Sequence, residues 1–366
     1  MRKIKFLALA LLTVLLACNQ AETGHKGPLE ISLKQSTDVI PISGFVSSVE
    51  YIELKLNEAG ISLGEVEAVK KIGDDWLIKH RQSGSSSFLR LNKNGAFIIE
   101  LAGKKNKEIQ TPLDIIEYKN GYAILAGNGI HEVAKDGKYI KQLVKGASSG
   151  SCFFEDRNQF YILNELKEGE IFEKAGNSSR SAENLPDRVQ RMMYTSVQDA
   201  GKNQVHFFST LSDKVYALEN KNAEPVVMLS GDELPTFADV LEKAKDMDEL
   251  ETIKFLRESE HVIVRKYLEN QDYIYLTYWV GSYSTTAILN KKTSETRYLG
   301  IGVNDIDGGI WERPLFLTSK NELVIPLSAY KIGGHKISNK KERHFARLQE
   351  KIAASGNPVL MLCKLK

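Results

Sequence analysis

The sequence has few cysteines, no large excess of charge of one sign and only one long apolar run. Three cysteines in 366 residues are too few for a disulfide-stapled scaffold. Lysine and arginine number 49 against 47 aspartates and glutamates, a net charge of +2, so no nucleic-acid partner is expected. With 42% hydrophobic and 26% charged residues, the composition excludes disordered and multi-span membrane proteins.

Local motifs of catalysis are also missing from the sequence. It contains no GxSxG nucleophile elbow, no HExxH zinc helix, no phosphate-binding loop and no Cys/His cluster with metal-ligand spacing. The seven histidines are scattered, with no pair at i, i+4. We therefore expect no metal, no cofactor and no locally encoded catalytic residue. His80 and His131 fall near predicted strand ends, and we expect ordinary polar residues there rather than groups presented to a channel.

The first 28 residues have the features of a membrane-targeting segment. Three basic residues precede an apolar run at 6–16, which is too short to span about 30 Å of hydrocarbon. The run ends in Leu-Leu-Ala-Cys, which resembles a bacterial lipobox; an ordinary signal peptide with an incidental cysteine is the alternative. Residues 1–17 are therefore predicted to be a lipoprotein signal peptide, Cys18 the lipidated residue, and 18–28 a flexible tether.

Removal of the signal peptide changes the charge of the mature chain and sets its expected location. Residues 1–17 contain three basic and no acidic residues, so 46 basic and 47 acidic residues remain. Two or three acyl chains on Cys18 would bury enough CH₂ groups for stable anchoring. We expect the chain to be bound to the outer membrane through Cys18, on its periplasmic or its external side.

Two hairpin signatures recur along the chain. The first reads Lys-(Asn/Asp)-Gly-x-aromatic-Ile-x-x-Leu at 93–101 and 135–143, and its Asn-Gly or Asp-Gly tolerates the positive φ of a tight hairpin turn. The second is an apolar strand, a polar turn and a further apolar strand, and it occurs six times. The first residues after its turns are Trp76, Tyr122, Phe160, Val205, Tyr273 and Leu323.

Six copies at roughly 40–50 residues predict an all-β fold, a six-bladed β-propeller over residues 29–366. The second signature would supply the inner strands of the blades and the first signature the outer strands. The ring would close because no blade can cover both of its apolar faces alone. The last apolar segment, 359–365, is predicted to pair with an N-terminal strand at 31–33 or 49–56.

Two helical segments interrupt the repeat. A helical insertion is predicted at about 233–258, with a capping-box sequence at 236–239, apolar residues at steps of three and four, and a break near 246–248. Its apolar stripe is expected to lie on a blade edge rather than to bind a partner. A second helix is predicted at about 339–354, where Gly-Asn-Pro at 356–358 ends it.

Several segments carry a family resemblance: Val-Glu-Tyr-Ile-Glu-Leu at 49–54, residues 88–101, Asp-Ile-Asp-Gly-Gly at 305–309 with Pro314, and the ending at 356–366. On these, the chain resembles the six-bladed β-propeller lipoproteins of Bacteroidetes, a group largely without assigned function. The likeness covers nearly the whole mature chain. Family members often have a Gly-rich turn after the first outer hairpin, where this chain has Gly-Lys-Lys-Asn-Lys-Glu, so any role of that loop is not carried over.

Cys152, Cys363, Asp305 and Asp307 each allow two interpretations. The two cysteines could pair in an oxidising compartment, but buried free thiols are favoured because nothing brings them together in the sequence. The carboxylates of Asp305 and Asp307 precede a glycine as at the start of a calcium loop, yet the later oxygen ligands are missing. A turn held by side-chain hydrogen bonds is therefore favoured over a metal site.

Aromatic residues give the best candidates for a ligand surface. Tyr273 and Tyr275 are expected in the core, because alternate strand residues must face blade packing. Exposed aromatics with arginine and carboxylates suit sugars or peptides, although sealing of adjacent blades is the alternative. The candidate ligand-binding residues are Trp279, Tyr283, Asp305, Asp307, Trp311 and Arg313.

These features predict a membrane-anchored binding or interaction module for a glycan, peptide or protein partner in the cell envelope. The alternative is a propeller enzyme, a glycan hydrolase or lyase, with its active site at the channel mouth. Such a site can be assembled from several blades and leave no local motif. A structural subunit of an outer-membrane complex is a third possibility.

Overall fold

A computed structural model describes residues 27–366 except 104–105, 147–151, 157–158, 164–171, 175–194, 202–203, 211–212, 220–221, 232–233, 245, 282 and 337–342. The predicted signal peptide, Cys18 and nearly all of the tether lie outside the described residues. No helix in the described part is long and apolar enough to cross a membrane.

Strands dominate the fold, and most pair with their neighbours in sequence. Three N-terminal strands come first: β1 (Leu29–Leu33), β2 (Val39–Pro41) and β3 (Val46–Glu53). The first repeating sheet has β4 (Glu65–Ile72), β5 (Asp75–Gln82), β6 (Ser85–Leu91) and β7 (Phe97–Ala102); the second has β8 (Pro112–Tyr118), β9 (Gly121–Ala126), β10 (Gly129–Ala134) and β11 (Tyr139–Lys145); the third has β12 (Phe153–Asp156), β13 (Gln159–Leu163) and β14 (Phe172–Lys174).

Three further sheets follow in the second half of the chain. The fourth has β15 (Thr195–Gly201), β16 (Gln204–Ser209), β17 (Lys214–Glu219) and β18 (Asn222–Gly231); the fifth has β19 (Val262–Glu269), β20 (Tyr273–Val280), β21 (Tyr283–Asn290) and β22 (Glu295–Leu299). After β23 (Ile301–Val303), the sixth has β24 (Phe316–Leu317), β25 (Glu322–Leu327) and β26 (Val359–Leu365), and β3 joins it as a fourth strand.

All the hairpins that the two signatures predicted are present. The six copies of the second signature form the first two strands of the six sheets. The Lys-(Asn/Asp)-Gly turns join β6 to β7 and β10 to β11, and Gly95 and Gly137 have φ of 78° and 79°. Only glycine adopts this conformation without strain, so the local turn chemistry sets the positions of these hairpins.

Apolar clusters between consecutive sheets close them into a propeller-like ring. Each sheet covers one face with the sheet before it and the other with the sheet after it, so burial is shared around the ring. Buried residues of neighbouring sheets that share a cluster include Leu77 with Ile124, Leu125 with Phe160, Phe154 with Phe207, Phe208 with Tyr267, Tyr275 with Ile325, and Val324 with Trp76.

The prediction of an all-β propeller is confirmed, but the predicted count of six blades is not. Five sheets have four or five strands and match a complete propeller blade. The sheet β12–β14 has three described strands, and residues on both sides of β14 lie outside the described part.

The N-terminal segment 29–54, which we call the N-terminal strap, joins three sheets. β1 pairs in parallel with β18, β2 pairs in parallel with β23, and β3 pairs antiparallel with β26. Of the two predicted partners of the last strand, the segment near Val49 is the one that pairs; Ile31 belongs instead to the fourth sheet. Because β3 completes the last sheet and the chain then continues into the first sheet at β4, the strap closes the ring within its last sheet.

Four helices lie in the connections: α1 (Phe237–Ala244), α2 (Glu249–Glu258), α3 (Ala329–Gly334) and α4 (Arg343–Ser355). The first two lie within the predicted insertion, and the Asp239 carboxylate accepts hydrogen bonds from the Thr236 amide (2.8 Å) and hydroxyl (2.9 Å), as the capping-box sequence predicts. Phe237 and Val240 pack on Ile263 of β19, so the apolar stripe of α1 covers a blade.

Neither of the two described cysteines forms a disulfide, and both are buried, as favoured from the sequence. Cys152 packs between the third and fourth sheets, whereas Cys363 lies in the last strand within the cluster between the fifth and sixth. Burial raises the pKa of the Cys363 thiol above its ordinary value, which disfavours the reactive thiolate.

Candidate functional site

The direction of the strands divides the ring into two faces. Inner strands β15, β19, β24 and β4 contact one another in turn, so they surround the axis. We call upper the face at which the inner strands begin, and there the second strand of each sheet also turns into the third. This face carries the longest described connections: α1 and α2, residues 304–315, and α3 with α4.

Exposed aromatic side chains are concentrated on the upper face. Among the described residues they are Trp279 (39% exposed), Tyr283 (55%) and Tyr330 (89%). The first two flank the turn from β20 to β21, and Tyr330 lies in α3 of the next sheet. Tyr273 and Tyr275 are buried, as expected, because they pack between the fifth and sixth sheets.

An arginine that the sequence analysis did not single out lies against Trp279. The guanidinium of Arg265 is 5.1 Å from the ring centroid of Trp279. A β-bulge at Arg265 interrupts the pairing of β19 with β20 and changes the direction of the side chain. A cation over an indole is worth about 0.5–2 kcal/mol, so this contact holds both side chains in place at the face.

Arg313 lies within electrostatic range of Arg265 and of its neighbour in β19, Lys266. Burial and the charge of Arg313 lower the pKa of Arg265, and the same two causes lower the pKa of Lys266 to about 8. Arg313 itself is exposed, in the connection that enters β24. Arg265, Lys266 and Arg313, which we call the cation cluster, therefore place three positive charges within electrostatic range of one another.

Asp307, a predicted ligand-binding residue, serves the local fold. Its carboxylate accepts hydrogen bonds from the Tyr51 hydroxyl (2.9 Å), the Asn304 side-chain amide (2.7 Å) and the Gly309 amide (3.1 Å). The Asn304 side chain in turn accepts from the Ile306 amide (3.2 Å). These bonds form the turn that was favoured over a calcium loop.

Asp305 and Trp311 contact the N-terminal strap. Asp305 accepts from the Ser43 amide (2.9 Å) and hydroxyl (2.5 Å); burial alone would raise its pKa, but these bonds hold it below its ordinary value. The half-buried indole of Trp311 packs edge-on against Phe45, with centroids 5.7 Å apart. Of the six candidates, the upper face thus places Trp279, Tyr283 and Arg313 with Arg265, while Asp305, Asp307 and Trp311 support the connection.

The histidines near strand ends are buried within sheets, whereas polar residues on a strand surface or in a loop were expected. The Nδ1 atom of His80 accepts from the Gly64 amide (3.2 Å), its Nε2 contacts the Ser87 hydroxyl (2.7 Å), and burial lowers its pKa. His131 contacts the side chain of Asn128 (2.9 Å). Among the described residues, no group of three or more His, Cys, Asp or Glu side chains could hold a metal ion.

A buried charged cluster lies at the opposite, lower end of β19. The Glu269 carboxylate accepts from the Tyr267 hydroxyl (2.5 Å), lies 2.8 Å from Nδ1 of His206, and contacts the ammonium of Lys291. Burial alone would raise the pKa of Glu269, but His206 and Lys291 together lower it. Because it joins the fourth and fifth sheets and Glu269 is only 2% exposed, we assign this cluster to the fold.

A lysine on an inner strand joins the first two sheets. Lys70 of β4 contacts the Asp114 carboxylate (2.5 Å) and the Ile115 carbonyl (3.0 Å) of β8. We expect Lys70→Met to lower the free energy of unfolding by about 2–4 kcal/mol at pH 7, because it leaves the Asp114 carboxylate without its counter-charge.

A more exposed lysine pair is the control. Lys135 lies 3.7 Å from Glu117, and both side chains are about half exposed, so Lys135→Met should cost less than about 1 kcal/mol. Urea unfolding at pH 7 measures both variants; equal losses in the two would contradict the expectation.

The comparisons with known proteins identify a family and a shared fold. A family model described as a domain of unknown function, DUF4934, matches residues 28–364. A crystal structure of a Bacteroides fragilis protein described as exported has a TM-score of 0.70 at 16% identity and covers 92% of this chain and 99% of its own. At that identity the likeness shows the fold alone. No curated protein matches the chain.

Two further solved structures are less similar to this chain. An extracellular domain of a hybrid two-component system of Bacteroides thetaiotaomicron has a TM-score of 0.41 at 9% identity, covering 75% of this chain and 32% of its own. PorZ, a surface component of the type IX secretion system of Porphyromonas gingivalis, has a TM-score of 0.34 at 14% identity, covering 68% and 29%. These scores are too low to support an argument about this chain.

Proposed function

The chain belongs to the DUF4934 family, and from that premise we propose that it is a non-catalytic binding module whose ligand docks on the upper face of the fifth and sixth sheets. The observation that carries the proposal is the concentration of exposed aromatic rings there, two of them at one turn with an arginine stacked on one ring. Large exposed aromatics are costly to keep in water, and they are typical of sites that bind sugars or peptides.

We infer that the ring has six blades, with β12–β14 as the third. Two observations support this: the sheet begins with the same hairpin as the other five, and apolar clusters connect it to the sheets on both sides. A six-membered ring would place the Trp279 turn next to the α3 connection, because the fifth and sixth sheets are neighbours.

Carboxylates of the inner strands favour binding over glycan hydrolysis. A glycosidase needs two carboxyl groups placed on either side of the bond, one of them able to donate a proton. Glu67 of β4 contacts Lys79 (3.1 Å) and Arg81, and Asp114 of β8 contacts Lys70. Both carboxylates are occupied by cations of the fold, so neither is placed to flank a glycosidic bond.

Replacing Trp279 with alanine tests the binding function. On an array of envelope glycans and peptides, we expect the wild type to bind at least one probe and Trp279→Ala to weaken that binding about tenfold, since loss of an aromatic platform costs about 1–2 kcal/mol. Ile140→Ala, at a half-exposed residue of outer strand β11, is the control and should bind as the wild type does. A wild type that binds no probe, or a Trp279→Ala variant of unchanged affinity, would contradict the proposal; release of smaller sugars from a bound probe would favour an enzyme.

We also propose that Cys18 carries a lipid that anchors the module to the outer membrane. The lipobox-like sequence after a basic and apolar segment supports this. In cell fractionation we expect the wild type with the membranes and a Cys18→Ala variant in the soluble fraction. Recovery of that variant with the membranes would contradict lipid anchoring.

A further inference from the structure

Strands β2 and β23 form a two-stranded parallel ribbon with one exposed apolar face. Its paired residues on that face are Val39 with Ile301 and Pro41 with Val303. Residues two apart in a strand point to the same side of it, so these four side chains lie together. Val39 is 62% exposed, Ile301 59% and Val303 45%, and Pro41 is exposed as well. We call these four residues the rim patch.

The opposite face of the ribbon covers the core, so the rim patch points away from the ring. Ile40 packs on the apolar cluster between the fifth and sixth sheets. A Cβ atom at Gly302 would lie 2.5 Å from the indole of Trp311, so the backbone of the ribbon lies against that ring. Because β23 follows the outer strand β22 and β2 precedes the outer strand β3, the ribbon lies at the rim.

An apolar face in water is unusual for parallel strands. Parallel sheets are normally covered on both faces, and their strands are accordingly apolar on both sides. The ribbon has this composition, since Ile40 lies on its covered face and the rim patch on its open face. Its sequence therefore suits a ribbon whose second face is also covered.

Two possible covers fit the rim patch poorly. Residues 19–26 precede the strap, but alanine is the only apolar residue among them, so the tether has little to bury. A second copy of the chain would need about 800 Å² on each partner for a stable interface. Four half-exposed aliphatic side chains, each of roughly 60–120 Å² when whole, present only about 200 Å².

We propose that the rim patch lies on the surface of a phospholipid bilayer and holds the ring on its edge, with the upper face open to a ligand. The inference rests on the proposed lipid anchor at Cys18 and adds an orientation to it. A chain spans at most about 3.5 Å per residue, so Cys18 lies within about 40 Å of Leu29, and Leu29 within about 35 Å of Val39. The lipid and the patch can therefore reach one membrane. Because the anchor keeps the patch close to the bilayer, a surface too small to bind alone is enough to orient the ring.

A fluorescent label beside the rim patch tests for contact with the bilayer. Thr37→Cys carries the label, because Thr37 is exposed and packs against Gly300, which adjoins β23, while the two described cysteines are buried. The lipidated protein is placed in vesicles of phosphatidylethanolamine and phosphatidylglycerol that contain a nitroxide-labelled lipid. An interfacial apolar face lies about 5–10 Å deep, so we expect at least about twofold stronger quenching there than at a label on Lys138→Cys, in the exposed turn between β10 and β11.

Substitutions within the rim patch show whether it makes the contact. Val39→Ser combined with Ile301→Ser should lower the quenching beside the patch to that of the label in the second sheet. The matched control, Ile98→Ser combined with Ile140→Ser, removes two exposed aliphatic side chains from the outer strands β7 and β11 and should change nothing. All four side chains are at least 42% exposed, so we expect both variants to unfold at the wild-type temperature. The quenching should persist from about 50 to 500 mM NaCl, because salt does not screen apolar contact.

A second form of the protein separates the rim patch from the lipid anchor. The chain that begins at Gly27 keeps every described strand, and an N-terminal histidine tag holds it on vesicles that contain a nickel-chelating lipid. We expect the same pattern of quenching on these vesicles. Recovery of the mature chain without lipid would overturn the anchor, and the tagged form would still show whether the patch contacts the bilayer.

Three results would overturn the membrane contact itself. Equal quenching of the two labels would do so and would leave the anchor and the binding module in place. Quenching that Val39→Ser with Ile301→Ser leaves unchanged would mean that another surface contacts the bilayer. A wild-type dimer in analytical ultracentrifugation that the same double variant abolishes would show that a second copy covers the patch instead.

Discussion

A chain that begins at Lys55, and so lacks the N-terminal strap, is expected to lose its cooperative unfolding transition. The strap buries seven apolar side chains, each worth about 1.5–3 kcal/mol against water. Together they contribute on the order of 10 kcal/mol, which is comparable to the whole stability of a typical domain. The seven are Ile31, Leu33, Ile42, Phe45, Val46, Val49 and Leu54.

Loss of β3 would also open the ring. β26 pairs with β25 on one side and with β3 on the other, and its side chains from Val359 to Cys363 are buried. Without β3 its second edge would present unpaired amides and carbonyls beside apolar residues, a surface prone to aggregation. We therefore expect broad, non-cooperative unfolding and poor solubility by calorimetry and light scattering.

Two controls make the result specific to the strap. A chain that begins at Gly27 keeps every described strand and should unfold as the full chain does. A synthetic peptide of residues 29–54, added to the chain that begins at Lys55, should restore a single transition by pairing with β18, β23 and β26. If the chain that begins at Lys55 unfolds at the same temperature and with the same cooperativity as the chain that begins at Gly27, the strap does not close the ring.

The features that the sequence predicted correctly are local ones. The turn at Gly95 needs a positive φ, and the strand that follows it alternates apolar and polar residues, so both are encoded within a few positions. The pairings of β1 with β18 and β2 with β23 join segments far apart in the chain and carry no turn signal. For that reason they could not be predicted. The segment at Ile31 was one of the two predicted partners of the last strand, but it pairs with β18 instead.

The candidate site shows the same division. Trp279 and Tyr283 could be found because aromatic residues gathered around a turn stand out in the sequence. Asp307 was an equally suitable candidate for ligand binding in the sequence, but its carboxylate accepts a hydrogen bond from the hydroxyl of Tyr51, 256 positions away. Arg265 and Lys266 were missed: two adjacent cations in an otherwise apolar inner strand were a usable signal, yet their proximity to Arg313 depends on the ring.

Glu269→Gln is expected to cost about 3–5 kcal/mol at pH 7, the range for breaking a buried ion pair by removing one partner. The carboxylate of Glu269 is 2% exposed and is the common partner of Tyr267, His206 and Lys291. The glutamine keeps the size of the side chain but leaves the ammonium of Lys291 without its counter-charge. Urea unfolding measures the difference.

The dependence on pH identifies the charge as the cause. Because the folded state holds the pKa of Glu269 below its ordinary value of 4.5, the stabilisation is complete above that pH and is lost as the pH falls below it. The difference in free energy of unfolding between wild type and Glu269→Gln should therefore decrease as the pH falls from 5 to 3. Glu295→Gln is the matched control in the same sheet: its pair with Arg297 (2.9 Å) is about half exposed, so it should cost less than about 1 kcal/mol. A difference in free energy of unfolding that stays constant from pH 7 to pH 3 would mean that the packing of Glu269, and not its charge, stabilises the fold.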